Sequence, residues 1–198
     1  MPRLTEADRN KRRQRLLDAA WRCVATKGYR DMTVDDVCAE ADASKGAFYV
    51  YFETKQDLLL ALLDDDSAEV DRQVSELEGQ TLTEEERLRR FTRWMLERGA
   101  DPARAQLRAD LWVAALTDDH VRGRLSDSIG SRRARLRSWV EAGVARGELV
   151  DVPANALASV LLALSDGLLL HAAADPSAFR WERIRTALAA ILTGLEVP

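Results

Sequence analysis

Residues 24 to 60 constrain the fold of this chain more than any other stretch. Their capping residues and turns predict three helices in succession, with a basic segment before them and a long helix after them. Thr33 and Asp36 have the spacing of a capping box that opens the second helix, and Ser44 is placed to cap the third. Such an arrangement is a helix-turn-helix, which can place one helix in the major groove of DNA.

Helical signals continue to the end of the chain, and no stretch alternates polar and apolar residues as a strand would. Capping and breaking residues predict nine helices, at about 10–27, 34–41, 45–51, 55–78, 84–98, 102–117, 124–146, 153–174 and 179–195. Gly28, after the first helix, is expected to take a positive φ. The sequence therefore predicts an all-α protein.

Charge is distributed unevenly along the chain. Residues 1 to 30 hold nine lysines and arginines against three acids, a net +6, while the whole chain carries −4, which leaves −10 for the other 168 residues. A basic N-terminal segment joined to an acidic remainder favours contact between that segment and a polyanion. Arg3 and the basic residues from Arg9 to Arg15 fit two alternatives, an arm that enters a minor groove or a disordered basic tail.

The N-terminal part of the chain resembles the N-terminal domain of the TetR family of one-component transcriptional regulators. The residues that carry the resemblance are Gly28, Thr33, Val34, Val37, Ala41, Ser44, Gly46, Phe48, Tyr49, Tyr51, Phe52, Lys55 and Leu58. The resemblance implies a DNA-binding domain over residues 1–54, called the head, and a helical ligand-binding and dimerisation domain over residues 55–198, called the body. The sequence departs from the family at Asp42, where glycine is usual, although aspartate tolerates a left-handed turn better than most residues.

The recognition helix and its neighbours are expected to contact DNA. Phe48 and Phe52 lie on one side of this helix at i and i+4 and are expected to pack inward. Lys45 can donate to guanine O6 and N7 or to a phosphate, and Ala47 can touch a thymine methyl group. The resemblance also implies phosphate contacts from two tyrosines and a second lysine. The expected DNA-contacting residues are Thr33, Ser44, Lys45, Gly46, Ala47, Tyr49, Tyr51 and Lys55.

The body carries no pattern typical of a catalytic or metal site. Its two histidines, His120 and His171, are about 50 residues apart, and it has no HExxH, glycine-rich phosphate loop or GxSxG motif. Cys23 and Cys38 lack CxxC spacing and are interpreted as packing residues, with a redox switch as the alternative. We therefore expect a protein that is not an enzyme and needs no cofactor or metal.

Hydropathy predicts a cytoplasmic protein with no membrane partner. No run of 18 or more uncharged apolar residues occurs, as a membrane-spanning helix would need. The basic N-terminus also lacks the apolar core of a secretory signal.

The last two predicted helices carry the pattern of a close helix–helix contact. Small residues recur at helical spacing in the eighth helix, and an apolar stripe follows the ninth. The resemblance implies that both helices meet their copies in a four-helix homodimer interface, and an ordinary intramolecular core is the alternative. The expected interface residues are Ala156, Ser159, Ala163, Gly167, Trp181, Ile184 and Leu188. Asp166, inside the apolar run, should need an arginine or backbone donors beside it.

Aromatic residues of the middle helices, together with the resemblance, predict a small-molecule pocket in the body. Aromatic walls with a few polar groups suit such a pocket, although the same spacing also fits a plain core. The expected ligand-binding residues are Phe91, Trp94, Met95, Trp112 and Trp139. The candidate polar groups are Arg98, Arg108, Asp110 and His120.

Together these features predict a homodimeric regulator that binds a palindromic DNA operator and leaves it when a small-molecule effector enters the body. Repression is the usual mode of the family, and activation is the alternative mode. The C-terminal helices are similar in pattern to those of regulators of the choline-responsive repressor type. The rival interpretation is a DNA-binding or adaptor protein with the same fold, a solidly packed body and no effector.

Overall fold

The computed structural model describes residues 5–175, 177 and 179–194, and this part of the chain is all-α, as predicted. Its helices are α1 (Glu6–Asp31), α2 (Val34–Glu40), α3 (Lys45–Tyr49), α4 (Lys55–Glu78), α5 (Glu84–Gly99), α6 (Pro102–Thr117), α7 (Asp119–Ala145), α8 (Ala154–Ala174) and α9 (Trp181–Thr193). Nine helices within the described residues match the predicted number. The bounds of α4 and α6 are those that the sequence predicts.

Capping boxes fix the starts of four helices. In each, a threonine hydroxyl accepts from the backbone N–H three residues on, and the acid at that position accepts from the threonine N–H. The box at Thr33 was predicted from the sequence, and those at Thr54 and Thr83 have the same spacing. The box at Thr5 was not predicted, and it starts α1 four residues earlier than expected.

The early start of α1 excludes one of the two alternatives for the basic segment from Arg9 to Arg15. Residues 9 to 15 are helical, so the disordered tail is wrong for them, while Arg3 lies outside the described residues. The start of α7 was also predicted too late. Asp118 caps it by accepting from the N–H groups of His120 and Val121 at 2.9 and 3.0 Å, which adds five residues before position 124.

The head shares its hydrophobic core with the body. Residues Leu58 to Leu63 of α4 are all apolar and all buried, so this segment is enclosed on every side. They pack in one cluster with the inner faces of α1, α2 and α3 and with Leu107 and Leu111 of α6. The division between residues 54 and 55 stays a prediction, and the core of the head extends across it.

A second core fills the other half of the body. Its members come from the second half of α4, from α5, from the second half of α7 and from α8. Among the described helices, only α8 is long and apolar enough to span a membrane, with a mean hydropathy of 1.7. Only Ala158 and Leu169 of this helix are buried, and its other residues are partly or fully exposed.

Two cysteines lie in the first core. Cys23 and Cys38 are both buried and unbridged. Burial, followed by the nearby acids Glu40 for Cys23 and Asp35 for Cys38, raises the pKa of both thiols. A raised pKa reduces thiolate character and reactivity, which favours the packing interpretation over the redox switch.

The turn between α2 and α3 takes the left-handed conformation at Asp42. Its φ is 49°, and it is the only non-glycine residue of the described chain with a positive φ. Gly28 likewise takes the predicted positive φ, at 74°, and interrupts α1 there. Both turns therefore have the geometry expected from the sequence.

Substitution at Asp42 should test the strain in this turn. We expect Asp42→Ala to lower the free energy of unfolding by about 1 kcal/mol, because alanine enters the left-handed region at a steric cost and has no polar side chain to offset it. Asp42→Gly should not lower it, since glycine reaches positive φ freely. Urea denaturation of both variants measures the difference, and equal losses would contradict the assignment of strain.

Candidate functional site

The recognition helix α3 is anchored on one side and open on the other. Ser44 caps it by accepting from the Ala47 N–H at 3.1 Å. Phe48 is fully buried and its ring centroid lies 5.4 Å from that of Phe52, so the predicted inward face is confirmed. On the opposite face, Tyr49 is 53% exposed. The short helix therefore presents its outer face to solvent on a rigid aromatic base.

Lys45 begins this outer face and is already paired. Its Nζ lies 2.8 Å from an Asp35 carboxylate oxygen of α2, and both side chains are more than half exposed. The hydrogen bond to Asp35 raises the pKa of Lys45. Gly46 beside it would accept a side chain without a clash, since a Cβ there meets only the Ser44 hydroxyl at 3.9 Å. A base or phosphate contact by Lys45 is therefore made either in exchange for Asp35 or with one of the other two N–H donors of the ammonium.

Lys55 connects the start of α4 to the end of α1. Its Nζ donates to the Arg30 carbonyl at 2.9 Å and lies 4.6 Å from the Tyr29 ring centroid. Tyr29 in turn donates its hydroxyl to the Lys55 carbonyl at 3.0 Å. Desolvation lowers the pKa of Lys55, and burial raises the pKa of Tyr29 to about 12. The structure thus gives Lys55 a packing role, and its phosphate contact stays a prediction.

The basic segment of α1 lies beside the recognition helix. A groove of about 340 Å³ runs between them, lined on one side by Arg12 and Arg15 and on the other by Ser44, Ala47 and neighbouring residues. Arg15 also donates to the Ala41 carbonyl at 2.8 Å, which ties α1 to the turn. The basic charge of α1 and the outer face of α3 therefore share one side of the head.

The remaining predicted DNA contacts lie on or near this side. Thr33 is exposed, but its hydroxyl takes part in the capping box of α2. Tyr51 is half-buried, and its ring packs against the core of the head. It also lines a hollow together with Arg9 and Arg13 of α1.

The predicted aromatic pocket is only partly assembled. Phe91, Trp94 and Trp139 come together, with the Phe91 ring centroid 5.6 Å from Trp139 and 6.1 Å from Trp94. Phe91, Met95 and Trp139 are buried in the second core. Trp112 does not join them, because it lies on the surface of α6 and is 39% exposed. A pocket-lining role for this set stays a prediction.

The larger hollows of the body lie elsewhere. One of about 360 Å³ lies between α5 and α9 and includes Thr92, Leu96 and Leu188. Another, of about 420 Å³, is bordered by Gly99, Ala105 and the ends of α8 and α9. None of the predicted aromatic ligand residues lines either of them.

The predicted polar groups take three different positions. Arg108 pairs with Asp166 at 3.2 Å, which confirms that the carboxylate inside the apolar run has an arginine partner. Arg98 belongs to a buried ion-pair cluster around Asp66. Asp110 accepts from the Tyr29 N–H at 3.2 Å, and His120 is exposed at the start of α7.

Sequence reasoning missed Asp66 and Arg132, which are both buried. A signal was present, because Asp66 lies four residues after Leu62 and four before Val70, on the apolar stripe of α4. Arg132 likewise precedes the buried Leu136 by four residues on α7. A charge at a core position of a helix indicates a buried polar contact.

Two family models match the chain, one over each part. Residues 16–62 match the model of bacterial regulatory proteins of the tetR family. Residues 84–195 match the model of the BetI-type transcriptional repressor, C-terminal. The chain belongs to the TetR family. It is a transcriptional regulator, and the resemblance seen in the head and in the last helices is confirmed.

Relatives of this TetR-family regulator share its length and fold. It is 30% identical to the HTH-type transcriptional repressor AcnR of Corynebacterium glutamicum over 169 residues, which are 83% of this chain and 84% of the relative. GusR of Salmonella enterica is 27% identical, with a TM-score of 0.73 over 98% of this chain and 99% of GusR. A transcriptional regulator of Saccharomonospora viridis in complex with choline is 24% identical, with a TM-score of 0.84 over 96% and 100%. At that identity the last likeness shows the fold alone.

The predicted dimer residues of the regulator differ in exposure. On α8, Ala156 and Ala163 are exposed, and Ser159 and Gly167 are half-buried. On α9, Trp181 and Ile184 are half-buried as well. Leu188 is buried within the chain, because it packs toward α5. Leu188 is therefore the least available of the set for a contact with a second copy.

The Lys45–Asp35 pair should set the strength of DNA binding. We expect Lys45→Ala to weaken binding roughly tenfold to a duplex that the wild type has selected from random DNA. Asp35→Asn should strengthen binding, since it frees Lys45 and removes a charge that repels phosphate. Fluorescence anisotropy at fixed salt measures both, with Arg137→Ala on α7 as the control. Weaker binding by Asp35→Asn would show that the carboxylate itself contacts DNA.

Proposed function

We propose that this regulator is a cytoplasmic repressor that binds a palindromic operator as a homodimer and releases it when a small molecule binds the body. The observation that carries the proposal is the geometry of α3, where the buried Phe48 leaves Lys45, Gly46 and Tyr49 directed outward. The arginines of α1 lie on the same side and can position the head on phosphates, while α3 reads base edges. No enzymatic step is part of the proposal.

The outward faces of α8 and α9 support the homodimer. Val160 is 60% exposed and Ile191 64%, and only Ala158 and Leu169 of α8 and Leu188 of α9 are buried. Exposed apolar surface of this extent marks an interaction site. A second copy covers it with the same surface by two-fold symmetry. The same symmetry places two recognition helices on two half-sites, which is why we propose a palindrome.

Contacts between α6 and the head support the coupling to an effector. Asp110 of α6 accepts from the backbone N–H of Tyr29, next to the break at Gly28. Asp118, after α6, accepts from Gln56 of α4 at 2.9 Å. A movement of α6 therefore reaches both ends of the head. The effector must bind one arrangement of the heads better than the other, because equal binding shifts nothing.

One observation favours the alternative function, a DNA-binding or adaptor protein whose body binds no effector. Phe91, Met95 and Trp139 are buried in the second core, and within the described residues no hollow lies between them. A solidly packed body would then carry dimerisation alone. Operator release by a small molecule separates the two functions, since only the first includes it.

Selection from random duplex DNA tests the proposed operator. We expect inverted repeats whose half-site centres lie about one helical turn apart or a multiple of it, roughly 34 Å or more. Sequencing of the enriched duplexes gives the symmetry directly. Enrichment of single, unpaired sites would overturn the palindrome, and enrichment of nothing would overturn specific DNA binding.

A bulky residue at Gly167 should separate the dimer from the fold. A Cβ at Gly167 meets no atom within 4 Å, so Gly167→Leu should leave each chain folded. We expect this variant to sediment as a monomer at micromolar concentration and to lose binding to the selected palindrome. Gly123→Leu on α7 is the matched control, because a Cβ there also meets nothing within 4 Å. A dimeric Gly167→Leu chain would place the interface elsewhere.

A further inference from the structure

Four arginines from three helices meet inside the body, and we call them the arginine cluster. Arg98 comes from α5, Arg104 and Arg108 from α6, and Arg132 from α7. The side chains of Arg98, Arg108 and Arg132 are only 6 to 8% exposed. Such burial of guanidinium groups is costly unless opposite charges and hydrogen bonds surround them.

One equally buried carboxylate, Asp66 of α4, lies at the centre of this arginine cluster. Its Oδ1 accepts from Arg98 at 2.5 Å and from Arg104 at 2.8 Å, and its Oδ2 accepts from Arg132 at 3.4 Å. Burial alone would raise the pKa of Asp66, but Arg98, Arg108 and Arg132 outweigh it and lower the pKa. Asp66 therefore stays ionised at neutral pH and is shared among several cations.

Three further acids lie toward the margin of the arginine cluster. Glu69, 35% exposed, pairs with Arg104 and Arg98, while Asp166, 17% exposed, pairs with Arg108. Asp101, 47% exposed, lies 3.4 Å from Arg104. The four arginines therefore face four acids, and the most buried layer holds three of the arginines together with Asp66. Burial and then the neighbouring Arg108 lower the pKa of Arg132 to about 10, while Asp66 and Asp166 oppose this shift.

Two donors of the arginine cluster are unused. The Arg98 Nε and the Arg108 Nη1 are buried and have no hydrogen-bond partner among the residues that the structure describes. Buried donors in folded proteins are almost always paired. A cluster that served only to join the helices would be expected to satisfy both groups.

A hollow leads from the surface to Arg132. Its volume is about 160 Å³, and its walls are Leu63, Asp64, Ser67, Asp71, Arg124, Ser128, Ser131 and Arg132. Asp64 is paired with Arg124, and Ser67 accepts from Arg132 at 3.3 Å. The Ser67 and Ser128 hydroxyls share a hydrogen bond of 3.0 Å, and an anion beside the guanidinium could accept from the hydroxyl that does not donate in that bond. The hollow has room for the charged group of a ligand.

We propose that the arginine cluster anchors a carboxylate or phosphate group of the effector, which competes with Asp66 for Arg132, Arg108 and Arg98. The inference rests on the proposed effector response and adds its chemical class, a small anion. A cation such as choline, bound by the Saccharomonospora viridis regulator, could not accept a hydrogen bond from the arginines.

The competition would act directly on α4. Asp66 lies eleven residues after Lys55 on one continuous helix, which is about 16 Å at 1.5 Å per residue. An anion that takes the arginines away from Asp66 removes the main polar contact between α4 and helices α5, α6 and α7. The start of α4 in the head is then held less firmly to the body.

Isothermal titration calorimetry on the full-length chain tests the anchor. The probes are succinate, benzoate, inorganic phosphate and glycerol phosphate, each at constant ionic strength set with chloride, and choline as the cation. We expect at least one anion and no choline to bind the wild type. Asp66→Asn should bind that anion at least tenfold more tightly, because it removes the competing carboxylate without changing the shape.

Two further variants keep the test independent of Asp66. Arg132→Lys keeps the charge but loses the planar fork, and we expect it to bind the anion at least tenfold more weakly. Arg135→Gln is the control, since Arg135 lies on the same helix and pairs with Glu78 at the surface, and its affinity should stay within twofold. This pair decides the question even if Asp66→Asn does not fold.

Three results would overturn the inference: no anion binds the wild type or Asp66→Asn, both arginine variants lose affinity alike, or choline binds better than every anion. Binding to the selected duplex, measured on the same preparations, separates this failure from that of the proposed function. A wild type that binds its duplex and ignores all anions overturns the arginine anchor alone.

Discussion

The burial of α4 from Leu58 to Leu63 on every side is the contact on which the rest of the structure depends. A helix segment that is apolar all round must be enclosed, and here the head encloses one side and α6 with α7 the other. The head therefore shares its core with the body and would lose part of it on separation. Its orientation is set by packing against α4 and α6 rather than by a flexible linker.

A polar layer divides the apolar interior into two parts. Along α4, Leu63 belongs to the first core and Val70 to the second, and Asp66 lies between them. Along α7 the same order holds, with Leu125 in the first core and Leu136 in the second on either side of Arg132. The two cores therefore meet across a layer of ion pairs, whose contacts have less shape specificity than interlocked apolar side chains. Such a layer is a suitable place for a ligand to act.

Local features of this fold were predictable from the sequence, and contacts between distant helices were not. The capping boxes at Thr33, Thr54 and Thr83 depend on residues three apart, and the left-handed turn at Asp42 depends on one residue. The inward face of α3 followed from an i, i+4 pair. The arginine cluster and Asp66, in contrast, come from four helices, so spacing could reveal only that Asp66 occupies a core position. Pairing of Lys45 with Asp35 was missed for the same reason, since ten residues and a turn separate them.

The uneven charge of the chain also acts before any contact with DNA is made. The first 30 residues carry +6 and the remainder −10, and the exposed arginines of α1 lie beside α3. In the field of a polyanion such a molecule experiences a torque that turns the head forward and the body away. Collisions by the wrong end are thus made rarer, and the fraction of encounters that begin in a readable orientation rises. Because this rotation acts over about a Debye length, it weakens as salt increases, independently of any base contact.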